Sequence, residues 1–511
     1  MFKAISAGLC LATAALLAAT PAFAQKSKDV LRIALNTSVP TLSPYDQTLD
    51  DAGFFSHEIY ETLIKYDEYN KKLIPGLAKS WKRIDKQTLE FELRDDIKFS
   101  NGDAFEADDV KATHAYVTDP KSKIIYPARY NWMKEIEVLG PHKIRVHTVR
   151  PTGTDLNIIA YRFLIWNGKV LGKLADRADY GRQLAVGTGP YKAMQIDVNK
   201  GVIVERYDGF KSDNGKKVSI GKIWGSPIPD RQTQSAELMV GNLDLLRTVP
   251  ADLAKALIEK PEFKRTYIST PDLLYIGLDA TGASGNTALA DVRVRKAIAM
   301  AIDRESLIKH IVPGGEVAEH LEADCFKTTI ACSYSVPSPK YDPAGAKKLL
   351  AEAGYADGFE LNYLVYNPSR AIGEAIAGDL RKVGIRAQIQ VVELGLLRRL
   401  QGDGKAQAWT SPHPTGGNPD AGNILISLFN DVTMKYNNDD VIPKVIERGE
   451  AEFDPDARTK IYREAFDRIN TMIYHVPISS VPQVFVHSKD VRVDNNPISA
   501  GKIYATDFKW N

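Results

Sequence analysis

The sequence predicts an α/β protein built from more than one lobe, on three observations. The chain has 511 residues, more than a single hydrophobic core organises. Its second half alternates strand-like and helix-like stretches in the order that builds parallel pairs. Its first third instead carries two-residue alternation and a hairpin signal, marks of an antiparallel β region.

The N-terminus stands apart from these elements. Lys3 gives a small positive charge, Leu9 to Ala19 form a short apolar run, and Ala22 and Ala24 occupy small-residue positions before a cut. This pattern predicts an export signal over residues 1–24, with Gln25 as the new N-terminus. The run is short for a bilayer span and Pro21 ends it. Bulky Leu9 before Cys10 argues against lipid attachment there. The mature protein is therefore expected in the periplasm, as a soluble chain.

"VLRIALN" from Val30 reads as the first strand, and "DAGFFSHEIYETLI" as a helix with Phe55, Ile59 and Leu63 on one face. "TLEFELR" sets Leu89, Phe91 and Leu93 against Glu90, Glu92 and Arg94, a half-buried strand. "EIEVLGPHKIRVHTV" is a hairpin turning at Gly140-Pro141. Further on, Asp291 is expected to cap one long helix with a stripe from Val294 to Ile308, stopped by Pro313-Gly314. Arg293, Arg295 and Lys296 are expected on its solvated face. Asp342, Pro343 and Gly354 frame a second helix. "FELNYLVY", a helix closed by Gly384, and "IRAQIQVVEL" complete a strand–helix–strand unit. "AWTSPHPTGGNPDAGN", Ala408 to Asn423, is the exception. Pro412, Pro414 and Pro419 exclude a helix interior and disfavour a central strand, so an irregular loop is expected.

Composition narrows the function. Hydrophobic residues make up 44% and charged residues 25%, an ordinary globular balance. With 66 basic and 64 acidic residues the net charge is +2, and no basic stripe suggests a nucleic-acid partner. Once Cys10 leaves, Cys325 and Cys332 remain, seven apart. In an oxidising compartment they read as a disulfide, with two unpaired thiols as the alternative. No further Cys or nearby His joins them into a metal site, and no cofactor is expected. Catalytic motifs fail in turn. "GTGPY" lacks the Lys and Ser/Thr of a phosphate loop, "TGASGN" is not a nucleophile elbow, and the nine histidines are scattered. A binding protein and an exported hydrolase with dispersed site residues both stay open; an adhesive β-sandwich finds little support.

The ordered succession of "VPTLSPYDQ", "HEIYETLIKYDEYNKKLIPGLAKSWKRIDKQTLEFELRDDIKFSNGDAFEADDV", "GTGPYKAMQ", "ELMVGNLDLL", "DVRVRKAIAMAIDRESLI" and "YDPAGAKKLLAEAGYADGFEL" resembles family 5 of the solute-binding proteins of bacterial ABC importers, which serves peptides, nickel chelates and related solutes. The likeness runs along nearly the whole mature chain. It implies a periplasmic-binding-protein-like clamshell of two lobes with an additional β-rich subdomain. The implied division is residues 25–64, 185–276 and 480–511 in lobe I, 65–184 in the β-rich subdomain, and 277–479 in lobe II. Hinge strands would lie near "YIGLD" and "HVPISS". It further implies no enzyme activity, a small solute, a peptide or peptide-like compound before a metal chelate, opine or sugar-like compound, transient docking on a membrane permease, and a monomer.

By motif position the Ala408–Asn423 segment would line the cleft. Trp409 would offer a stacking face, Thr410, Ser411 and His413 uncharged hydrogen bonds, and Arg370 a partner for an acidic group. Tyr45 and Asn367 complete the expected contacts. Peptide-binding relatives place an acid just after the Trp-like residue, to pair with the ligand's α-amino group. Here none appears before Asp420, which would have to fold back to serve. The alternative is that Trp409 is core and the segment only connects.

Overall fold

Two sheets of different make-up carry the protein, linked by a pair of strand crossings. The structure, a computed structural model, describes residues 29–46, 50–67, 70, 72–122, 124–211, 218–268, 270, 272–312, 324–326, 329–413, 420–429, 436–494 and 507–511. The expected export signal, Gln25 and the Pro313-Gly314 helix stop lie outside the described residues.

The first lobe is organised by a seven-stranded sheet in the order Phe263–Ile268, Gln483–Ser488, Leu245–Leu246, Val30–Leu35, Lys222–Pro227, Gly201–Arg206, Tyr191–Asp197. Val30–Leu35 pairs in parallel with Lys222–Pro227. The helix Asp50–Ile59 packs on this lobe, with Phe55 and Ile59 fully buried. It ends before Leu63, which the sequence had placed on its face. The reason is the "GTGPY" segment: the Gly189 N–H donates to the Ile59 carbonyl at 2.9 Å. A Cβ at Gly187 would sit 1.9 Å from that same oxygen, so the glycine there serves close backbone approach.

A four-stranded antiparallel sheet, Ala78–Asp85, Thr88–Leu93, Lys143–Thr148 and Met133–Gly140, forms the β-rich part. Leu89, Phe91 and Leu93 are fully buried and share one core with Leu31, Ile33 and Phe55 of the first lobe. Glu90 is not on a solvated face. It is buried beneath Lys82, Lys143 and Arg145 at 3.0–3.2 Å.

The second lobe holds a five-stranded sheet in the order Ile385–Val392, Phe359–Tyr366, Ala408–His413, Leu273–Leu278, His475–Ser480. The first two strands are parallel, with the helix Arg370–Lys382 between them. Asp342 caps the helix Pro343–Glu352 by accepting from the Gly345 N–H, and Gly354 follows it at φ +89°. Here the expected irregular segment is corrected: Ala408–His413 is the central strand. Pro412 is tolerated because the parallel neighbour pairs only as far as Thr410, so no ladder on that side needs its missing N–H. Pro414 to Pro419 lie outside the described residues.

Two further expectations change. The single long helix after Asp291 is two, Val292–Ala301 and Arg304–His310. Ile302 leaves helical geometry at ψ 120°, and Asp303 caps the second helix through the Ser306 N–H. Arg295 is buried, because its guanidinium donates to the carbonyls of Leu289, Ala290, Met472 and Ile473.

The lobes are joined where Phe263–Ile268 runs on to Leu273–Leu278 and His475–Ser480 runs on to Gln483–Ser488. The crossings are bonded to each other: Thr270 Oγ1 donates to the Val481 carbonyl at 2.7 Å, and the Val481 N–H to the Asp272 carbonyl at 3.0 Å. Among the described residues no helix is long and apolar enough to cross a membrane.

Candidate functional site

Strand direction selects one edge of the second sheet. Phe359–Tyr366, Ile385–Val392 and Ala408–His413 are mutually parallel, so their carboxyl ends share an edge. The first residue of Leu273–Leu278 and the last of His475–Ser480 meet them there, directly at the crossings to the first lobe. In open α/β sheets such a carboxyl edge is where ligands lodge. Asn367, Glu393, His413, Leu273 and Ser480 occupy it, and Asn367 Nδ2 donates to Glu393 Oε1 at 3.1 Å.

Register then sorts the side chains. Trp409, Ser411 and His413 stand opposite Gly277, Tyr275 and Leu273 on one face, and Ser480 joins them opposite Leu273. Thr410 and Pro412 face the other way. Thr410 bonds the Tyr363 hydroxyl inside the opposite core, so the strand period separates it from its neighbours. Trp409 is fully buried; its Nε1 donates to Tyr275 Oη at 3.3 Å and its ring meets Tyr436 edge-on at 5.2 Å.

Towards the edge the same face becomes polar. The Ser480 hydroxyl and both ring nitrogens of His413 are buried with no hydrogen-bond partner among the described residues, and the buried Ser411 hydroxyl lies against the Tyr275 hydroxyl. His475, packed on Tyr275 at 4.5 Å, holds Nδ1 3.7 Å from buried Asp324 Oδ2. Burial drives the His413 pKa down to about 3, helped by the nearby charges of Arg398 and His475. It is therefore a neutral imidazole, one donor and one acceptor, and a poor base. Ser411 and His413 make no hydrogen bond to each other, so no activated nucleophile forms. Among the described residues no group of three His, Cys, Asp or Glu is placed to hold a metal.

The remaining expected contacts are dispersed. Tyr45 lies in the first-lobe core, donating to the Leu164 carbonyl at 2.6 Å amid Tyr116, Tyr130 and Trp166. Arg370 is exposed and paired with Glu374 at 2.8 Å. Asp420 is fully buried. Its carboxylate accepts from Asn157 Nδ2 at 2.7 Å and the Gly422 N–H at 2.8 Å, and pairs with Arg458. Cys325 and Cys332 lie with Cα atoms 6.1 Å apart, within disulfide reach.

Two arginines of the first-lobe side escaped the sequence reading. Arg162 ends the helix Asp155–Arg162, and its carbonyl accepts from Tyr130 Oη at 3.1 Å. Burial pulls its pKa down to about 10; the adjacent Arg129 charge adds to this and Asp272 at the crossing opposes it. Arg129 lies 3.8 Å above the Tyr126 ring. No motif links residues so separated; Arg162 lies within reach of the charges of Arg129 and of Asp272, the latter at the crossing between the lobes.

Comparison with known proteins shows what the chain is similar to. Residues 72–436 match the model of the bacterial extracellular solute-binding proteins, family 5 middle. The glutathione-binding protein GsiB of Escherichia coli O157:H7 is 28% identical over 512 residues, covering 94% of each chain. That of Salmonella typhi is 27% identical over 509 residues, again 94% of each. Among solved structures, NikA from Brucella suis in complex with Fe(III)-EDTA matches with TM-score 0.83 at 22% identity, over 94% of this chain and 100% of that one. DppA from Helicobacter pylori in complex with the peptide STSA matches with TM-score 0.73 at 21% identity, over 93% and 98%.

Proposed function

The chain belongs to family 5 of the bacterial extracellular solute-binding proteins, a family of binding components of ABC importers and not of enzymes, and we propose that its solute is a small peptide or peptide-like compound bearing a carboxylate. The observation that carries this reading is the buried, unpartnered His413 ring and Ser480 hydroxyl at the carboxyl edge beside the crossings, and we assign the ligand carboxylate to Arg162, which lies near Arg129 and the crossing residue Asp272. A guanidinium can grip a ligand carboxylate through two parallel N–H bonds. The likeness to glutathione-binding relatives over 94% of the chain supports the same class.

Asp420 argues on the other terminus. Its carboxylate already faces Arg458, so it is a poor counter-charge for an α-ammonium group. Solutes recognised chiefly by carboxylates fit better than peptides anchored by a free amine.

The protein is exported to the periplasm by cleavage after Ala24, with Cys325 and Cys332 oxidised to a disulfide there. It closes its lobes on the solute, docks as a monomer on its permease and releases the solute unchanged.

Calorimetry with glutathione, an unmodified dipeptide and the same dipeptide amidated at its C-terminus tests the reading. Glutathione and the free dipeptide are expected to bind, and amidation to cost tenfold or more. Equal binding of the amidated and free forms overturns it. Mass spectrometry of solute carried through native purification identifies the compound.

A further inference from the structure

The lobes also meet away from the His413 edge. Asn157, in the helix Asp155–Arg162 of the first-lobe side, donates from Nδ2 to Asp420 Oδ2 of the second lobe at 2.7 Å. Thr154 Oγ1 donates to Glu450 Oε2 at 3.1 Å, and the Gly153 N–H donates to the Glu450 carbonyl at 2.5 Å. In return, Arg458 Nη1 donates to the Gly153 carbonyl at 2.6 Å. Arg83 lies 3.8 Å above the Phe453 ring and holds Asp155 at 2.8 Å. A Cβ at Gly153 would sit 2.2 Å from the Glu452 carbonyl oxygen, so the backbones touch.

These contacts are polar and largely buried. Asp420 and Arg458 show 0% and 4% side-chain exposure, and Glu450 also accepts from Tyr462 Oη at 2.8 Å. Parting the lobes would strip Asp420 of its Asn157 donor, Arg458 of its carbonyl acceptor and Glu450 of its Thr154 donor. Water would replace them, so the net gain per bond is modest, but several made together between rigid helices add up. None of these groups belongs to the solute edge.

We propose that Gly153, Thr154 and Asn157 with Asp420, Glu450 and Arg458 form a latch that favours the closed arrangement of the lobes independently of the solute. The closed form is then populated before solute arrives, and solute affinity is tuned by residues that never touch it. The solute pays less to close lobes that already favour closing, so latch strength and affinity rise together. The purpose of the latch rests on the solute-binding reading; its existence does not.

Small-angle scattering of the solute-free protein tests it, comparing the wild type with Asn157→Ala and with Thr154→Val. The empty wild type is expected to be compact, and each variant to have a larger radius of gyration with an unchanged circular-dichroism spectrum. Identical radii in all three overturn the latch. A spin-label distance between the Asp155–Arg162 helix and the Pro455–Met472 helix gives a second reading: it is expected to lengthen in Thr154→Val, and no change overturns the latch even if Asn157→Ala fails to fold. Glutathione titration separates this from the solute assignment. If glutathione does not bind the wild type, the proposed solute is wrong while the scattering still decides the latch. If it binds, each variant is expected to bind at least tenfold more weakly, and equal binding refutes the coupling.

Discussion

Trp409 stands opposite Gly277 across the central ladder of the second lobe, so close that a Cβ on Gly277 would lie 2.1 Å from the indole ring. The pair belongs to the core under the carboxyl edge of the sheet, and the ring's size and the glycine's bareness are one fit. Trp409→Ala is therefore expected to destabilise the protein by about 3–5 kcal/mol, as for other buried aromatics. Gly277→Ala should cost about 1–3 kcal/mol or more through overpacking. Urea unfolding of the solute-free variants measures both. A wild-type midpoint for Trp409→Ala would show that the ring is not a core element.

The two candidate arginine positions separate cleanly. Arg162→Ala is expected to weaken glutathione binding tenfold or more, about 1.4 kcal/mol. Arg370, exposed and already paired with Glu374, should tolerate alanine with a change below about twofold, as exposed ion pairs contribute little. The reverse order in calorimetry would move the anion site to the Arg370 side of the edge.

His413 makes the fold sensitive to acid. Its native pKa is about 3, below the ordinary value of about 6.5. Between those values the unfolded chain takes up a proton that the native state refuses. Its contribution is intact above about pH 6.5 and is lost as pH falls towards about 3, at up to about 1.4 kcal/mol per pH unit. His413→Asn should flatten the fall in stability between pH 6 and pH 4, read by urea midpoints. Parallel pH curves for variant and wild type would show that another group carries the acid sensitivity.

The Cys325–Cys332 pair is expected to resist alkylation in freshly exported protein until reductant is added. Closing so short a loop stabilises by about 2.5 kcal/mol on the chain-entropy model, and Cys332→Ser should lower stability by about that amount or less. Full alkylation without reductant would show two free thiols.

Local chemistry wrote much of the fold legibly. Asp342 before Pro343 and Gly354 after the helix, Asp291 as a cap, the Gly140-Pro141 hairpin and the strand–helix–strand run through Val392 act over a few residues, where capping and side-chain period decide the conformation. The ordered motifs of the family were equally plain, since each is scaffold. The site was not. Pro412 argued locally for a loop, yet the ladder to Leu274 and the cores on both faces made its segment the central strand. Arg295 looked solvated until the distant carbonyls of Met472 and Ile473 joined those of nearby Leu289 and Ala290 around its guanidinium. Asp420 looked available for a ligand, but Arg458 lies 38 residues on and Asn157 lies 263 residues before it. Sequence by itself determined most of the elements, their order and the family, because those depend on neighbours along the chain. Tertiary structure alone decided which polar groups remain unpaired at the cleft, because desolvation and pairing depend on what other lobes and strands bring to within about 3 Å.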